Sequence, residues 1–103
     1  MIDINFTFIG KCWIWQGKGT WHFITLPQDK SEEIKFFSDN HFGKRRGWGS
    51  VRVSANISGT AWETSIFPSS ELGAYILPIK AEVRKKQKIT AGDDVQVLLQ
   101  ISI

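Results

Sequence analysis

One cysteine, one methionine, one tyrosine, two histidines and three prolines are spread over 103 residues, and each shortage removes a class of protein. A lone Cys12 forms no internal disulfide, so the fold is expected to need no oxidising compartment. The sequence has no paired-cysteine metal spacing, no HExxH, no nucleophile elbow and no phosphate-cradling glycine loop. No apolar run approaches the roughly 20 residues that a membrane helix requires. The start, Met1-Ile2-Asp3-Ile4-Asn5, is not a basic stretch followed by an apolar one, as a secretory leader would be. The expectation is a cytoplasmic protein off the membrane, with no metal and no cofactor.

What is present points to a small packed core. The apolar share is 42% and the aromatic share 13%, too much for a disordered chain, which lacks the hydrophobic content to offset its backbone entropy. A chain of this length buries roughly 60 to 70% of the surface it exposes when unfolded, enough for one core. Residues 1–103 therefore read as a single domain. Five tryptophans supply large areas from few positions. The net charge of +3 permits contact with nucleic acid or an anionic ligand without arguing for it. Much of the excess falls in Lys44-Arg45-Arg46 and Arg84-Lys85-Lys86.

One pattern is written twice. A strand ends in Leu-Pro, a short charged helix follows, then a glycine and an alternating strand. The first copy runs from Trp21-His22-Phe23-Ile24-Thr25-Leu26-Pro27 through Ser31-Glu32-Glu33-Ile34 to Gly49-Ser50-Val51-Arg52-Val53. The second runs from Ala74-Tyr75-Ile76-Leu77-Pro78 through Ala81-Glu82-Val83-Arg84 to Gly92-Asp93-Asp94-Val95-Gln96-Val97. Such repetition implies a pseudo-symmetric domain.

Alternation places the strands. Ile2, Ile4, Phe6 and Phe8 share one face, and Gly10-Lys11 reads as a turn before a strand from Cys12 to Gln16. A hairpin through Gly17-Lys18-Gly19-Thr20 leads to Trp21–Leu26 and sets Trp15 opposite Trp21 and Trp13 opposite Phe23, a ladder of four rings. Asp29 and Glu32 have the spacing of a capping box, predicting a helix from Lys30 to Ser38 and a basic surface loop from Asp39 to Gly49. Strands follow at Gly49–Ile57, at Ala61–Phe67, closed by Pro68, and at Tyr75–Leu77. A helix over Ile79–Lys86 precedes the clearest strand, with Val95, Val97, Leu99, Ile101 and Ile103 on one face. Six or more short strands leave few edges only if they close, so the fold is expected to be all-β, a small closed barrel with two short helices and an internal pseudo-two-fold repeat.

The second copy, Leu77-Pro78-Ile79-Lys80-Ala81-Glu82-Val83-Arg84-Lys85 with Ile89-Thr90-Ala91-Gly92-Asp93-Asp94-Val95, resembles the swapped-hairpin element of AbrB/MazE-type transcription factors, in which two chains each give one such unit. Trp21–Pro27, Gly47-Trp48-Gly49-Ser50-Val51-Arg52-Val53, Thr64-Ser65-Ile66-Phe67-Pro68 and Tyr75–Lys80 with Val83-Arg84-Lys85 resemble, in that order, an uncharacterised bacterial family, the domain of unknown function nineteen-oh-five. The resemblance implies a double-split β-barrel and no established activity. DNA binding does not carry over from the AbrB-like half, because the first helix holds Glu32 and Glu33 where the second holds Arg84, Lys85 and Lys86.

Candidate residues each have a plain structural alternative. His22, His41 and Cys12 read as structural or solvated groups, and Glu63 as a surface strand residue or an inward carboxylate beside Trp62. Trp48 and Arg52 share strand parity opposite to Val51 and Val53, so they lie outside if those valines are core, where an arginine over an indole is also a local cation-π contact. Trp13, Trp15, Trp21, Phe23 and Trp62 either fill the core or line a pocket at the barrel mouth. The leading expectation is a monomeric, non-enzymatic binding module whose ligand, small or macromolecular, meets Trp21, Arg46, Trp48, Arg52, Trp62 and Arg84. The alternative is a nucleic-acid-binding protein using Lys44, Arg45, Arg46, Arg84 and Lys85 on one face. A small enzyme using Glu63 and His22 is the third.

Overall fold

The computed structural model describes residues 3–15, 17, 20–42 and 49–102, with 39–42 described in backbone only. Six strands and two helices follow one another as β1 (Asp3–Ile14), β2 (His22–Thr25), α1 (Gln28–Phe42), β3 (Val51–Ile57), β4 (Thr60–Ser69), β5 (Ala74–Pro78), α2 (Ala81–Gln87) and β6 (Asp94–Ser102). The strands close into a barrel in the order β1-β2-β5-β4-β3-β6, every pair antiparallel. Closure removes the long open edge that β6 and β3 would otherwise present.

The repeat read from the sequence is built into the ladders. Exchanging β1 with β4, β2 with β5 and β3 with β6 turns the strand order into itself. The register agrees residue by residue. With Leu26 equivalent to Leu77 and Val51 to Val95, the pair Cys12↔Ile24 becomes Pro68↔Tyr75, and Phe6↔Leu99 becomes Trp62↔Ala55, both of them observed. The pairs Thr25↔Ile76 and Ala55↔Leu99 map onto themselves and mark the pseudo-two-fold axis.

Period-two patterning fills the inside. Val51, Val53, Ala55 and Ile57 on β3, and Val95, Val97, Leu99 and Ile101 on β6, are all buried in one cluster with Phe6, Phe8 and Trp62. Their neighbours Arg52, Gln96 and Leu98 face out.

Two seams interrupt the wall. β4 pairs with β3 from Thr60 to Ile66 but with β5 only at Phe67–Ser69. β5 stays with β2 as far as Pro78. Past Ile76, then, β5 leaves β4 and a gap opens between β4 and the β2–β5 pair. The equivalent gap lies where β2 leaves β1 after Ile24 and continues on β5, with the Leu26 N–H donating to Tyr75 O at 3.0 Å. The wall is thus split twice.

Several local expectations are corrected. Gly10-Lys11 is no turn: β1 runs unbroken through it, pairing with β6 up to Lys11↔Asp94 and with β2 from Cys12. Gly10 instead marks a close approach, because a Cβ there would stand 2.4 Å from Ile24 Cγ2 and 2.8 Å from Thr25 O. Asp29 is no cap. The helix starts at Gln28, with the Ser31 N–H donating to Pro27 O at 2.9 Å, so Asp29 sits in the first turn and favours its dipole. α1 also extends to Phe42, through the first part of the expected loop. Pro68 lies inside β4 rather than after it, on a stretch paired on one side only, where a residue without an N–H is tolerated.

α2 ends as its composition directs. Arg84, Lys85 and Lys86 crowd its last turn, the favourable place for cations, and Lys88 takes the left-handed conformation (φ 54°) with its N–H bonded to Arg84 O and Lys85 O. Among the described residues no helix is long and apolar enough to cross a membrane.

Candidate ligand-binding cleft

The seam beside β4 is a cleft of about 680 Å³. One wall is Thr64, Ser65 and Phe67 of β4, with Arg52 of β3 beside Ser65 through the Arg52↔Ser65 pair. The other wall is Thr20, Trp21 and His22 with Pro78 and Ile79, held together by the Ile79 N–H donating to His22 O at 3.0 Å. Lys80, Ala81, Glu82 and Arg84 close one end. Four separate stretches of chain therefore meet here because β5 stops pairing with β4.

Two hydrogen bonds order β2 and the residues leading into it, the first of them at the cleft. The His22 ring donates from Nδ1 to Thr20 O at 3.0 Å, since a carbonyl oxygen only accepts. The Trp13 indole donates to Thr25 Oγ1 at 2.8 Å and fixes the ring against β2.

The aromatic ladder forms in the expected register, Trp13↔Phe23, with the Trp15 N–H donating to Trp21 O at 2.9 Å. It stands on the outer face of the barrel. Trp13 and Phe23 centroids are 5.2 Å apart, and Trp21 stacks on Phe23 at 6.1 Å with an interplanar angle of 14°. Trp15 is 47% exposed and Trp21 is 55% exposed. These rings do not fill the core; only Trp62 of the expected cluster does, at 8%.

Charge in the cleft is lopsided. Arg52, Lys80 and Arg84 line it against Glu82 alone. The ion pairs among the described residues, Lys11–Asp94 at 3.5 Å and Lys30–Glu33 at 3.7 Å, involve none of these groups. Arg84 is half-buried, and its field reaches Cys12. Burial pushes the Cys12 thiol above its ordinary value of 9.0; Arg84 opposes the rise and Asp93 adds to it. Among the described residues no group of three or more His, Cys, Asp or Glu could hold a metal ion.

Of the residues expected at a site, Trp21, Arg52 and Arg84 come together in this cleft. Trp62 is in the barrel interior, opposite Ala55. Arg46 and Trp48, with Lys44, Arg45 and the His41 side chain, lie outside the described residues. Glu63 is exposed on β4, the plainer of its two readings.

The family described as Domain of unknown function (DUF1905) matches residues 8–99. The chain belongs to the DUF1905 family. A search of curated proteins finds no match. The DUF1905 match begins in β1 and ends in β6, so it takes in the whole circuit of the barrel and both walls of the cleft.

Sequence reasoning missed Phe67, Lys80 and the hydroxyls of Thr20, Thr64 and Ser65. Phe67 carried a signal: it is apolar at the outward parity of β4, between the buried Ile66 and the half-buried Pro68. Nothing local marks Lys80, because its place depends on where β5 leaves the sheet.

Proposed function

We propose that this DUF1905 chain is a non-enzymatic binding module, and that its ligand carries an anionic group and a planar or apolar part. The observation that carries this reading is the meeting of Arg52, Arg84 and Lys80 with the exposed Trp21 and Phe67 around one cleft. Cations without described acidic partners are free to neutralise a bound anion. A flat ring at the rim orients an unsaturated or apolar group, and the cleft volume falls within the range of ligand sites. The chain acts alone on this reading, its two halves completing one wall as the two chains of an AbrB-like dimer would.

The test is an NMR screen with matched pairs of fragments: aromatic carboxylates, sulfonates and phosphates, each beside a neutral isostere. The anionic member of each pair is expected to shift the Trp21 indole N–H and the Arg52 and Arg84 side-chain signals, and R52A to weaken those shifts. Neutral isosteres acting equally well, or shifts confined to other parts of the barrel, would refute the reading.

A further inference from the structure

The cleft does not stand alone. It shares Trp21 and Phe67 with a groove of about 350 Å³ lined by Trp15, Phe23 and Ile76. At its other end it shares Ala81, Glu82 and Arg84 with a third concavity of about 560 Å³ that takes in Lys85, Lys88 and Thr90. The three form one trough, aromatic at one end and cationic along the rest, open over its whole length. Trp15, Trp21 and Phe67 are each more than two-fifths exposed at the aromatic end. Arg52, Lys80, Arg84, Lys85 and Lys88 follow, with Glu82 the acid among them.

We propose that this trough binds single-stranded nucleic acid, its bases stacked on the Trp15–Trp21–Phe67 platform and its phosphates laid along the arginines and lysines. The inference rests on the cleft being an anion site and adds the class of ligand. Three features select it. A polyanion uses cations strung along a track, where a compact anion would use only two or three of them. Exposed rings gathered around one groove accept bases whatever their sequence, because every base has a π-face. The surface is concave and open, which suits an extended strand; a duplex buries the base faces that the rings would hold, and a membrane surface is not concave on this scale.

The experiment is fluorescence anisotropy with a labelled oligothymidylate of about 12 nucleotides, repeated with the matching duplex and with anionic lipid vesicles. Single strand should bind more tightly than duplex. With three to five phosphates neutralised, affinity should fall about 20- to 130-fold between roughly 50 and 200 mM salt. Trp21→Ala and Phe67→Ala should each weaken binding about tenfold, and both sites are exposed enough for the fold to survive. Lys80→Ala and Lys85→Ala should each flatten the salt dependence by about one phosphate contact. The proposal is overturned by a flat salt response, by duplex binding as well as single strand, by vesicles binding where the oligonucleotide does not, or by wild-type affinity in the two ring variants. Should anionic fragments bind while the oligonucleotide does not, the ligand class is wrong and the anion site stands; should neither bind, both readings fall.

Discussion

Ser31 Oγ on α1 accepts the backbone N–H of Tyr75 on β5 at 3.0 Å, joining residues 44 positions apart. Ser31 is the buried polar side chain of the described core, 3% exposed, and Tyr75 is 1% exposed. The contact fastens α1 against β5. Ser31→Ala removes the acceptor and should lower stability by about 1 to 2 kcal/mol, because the amide it served stays in a place poor in water. Urea denaturation read by tryptophan fluorescence checks this, and Ser31→Thr, which keeps the hydroxyl, should recover part of the loss.

Gly10 sets a second measurable constraint. Its missing side chain lets β1 run against Ile24 and the Thr25 carbonyl. Gly10→Ala forces a backbone oxygen to move as well as a methyl group, so it should cost about 1 to 3 kcal/mol although alanine suits a strand no worse. Gly59, whose Cβ position is open, offers the contrast: Gly59→Ala meets no atom and is strained only by its φ of 91°.

The buried thiol couples stability to alkali. Unfolded, Cys12 ionises near its ordinary value of 9.0; folded, it holds its proton to higher pH because burial disfavours the thiolate. The folded state then binds more protons than the unfolded one, so stability declines as pH rises above 9.0. Urea midpoints taken from about pH 8 to pH 10.5 should fall more steeply for the wild type than for Cys12→Ala. Iodoacetamide should modify the native thiol slowly and the denatured one fast.

The interleaving of the halves makes a prediction about fragments. β2 lies on β5, β6 lies between β1 and β3, and β4 lies between β3 and β5. A chain divided between Ser58 and Gly59, in the tight turn joining β3 to β4, leaves each half with an incomplete wall. Neither half alone should give dispersed amide NMR signals, and the mixture should give a spectrum close to that of the intact protein.

Strands carried the most readable part of the chain. Val95-Gln96-Val97 and Val51-Arg52-Val53 announce which side is inward, and Trp13↔Phe23 follows from the hairpin's centre. The repeat was readable too, because Leu26-Pro27 and Leu77-Pro78 both end strands before helices. Harder to read was anything decided by which neighbour a strand abandons. Gly10-Lys11 has turn composition, yet its glycine serves a close contact with a strand met later in the chain. The four-ring ladder could be placed on a strand but not on a side, since an outer face crowded with indoles violates the usual pattern of burial. The cleft had three legible members, Trp21, Arg52 and Arg84, which share no local spacing and are brought together by tertiary pairing alone.

The doubled break in the wall has a consequence for how this architecture tolerates change. Related by the pseudo-two-fold axis, the two openings are geometric counterparts whose rims carry different side chains. At the second opening Ile79 still belongs to the buried core, whereas Trp21, Arg52, Phe67 and Lys80 around it are exposed and can change without disturbing the packing. The second break thus sets core-filling and outward-facing side chains on one rim, so that its surface can be rewritten while the container stays closed.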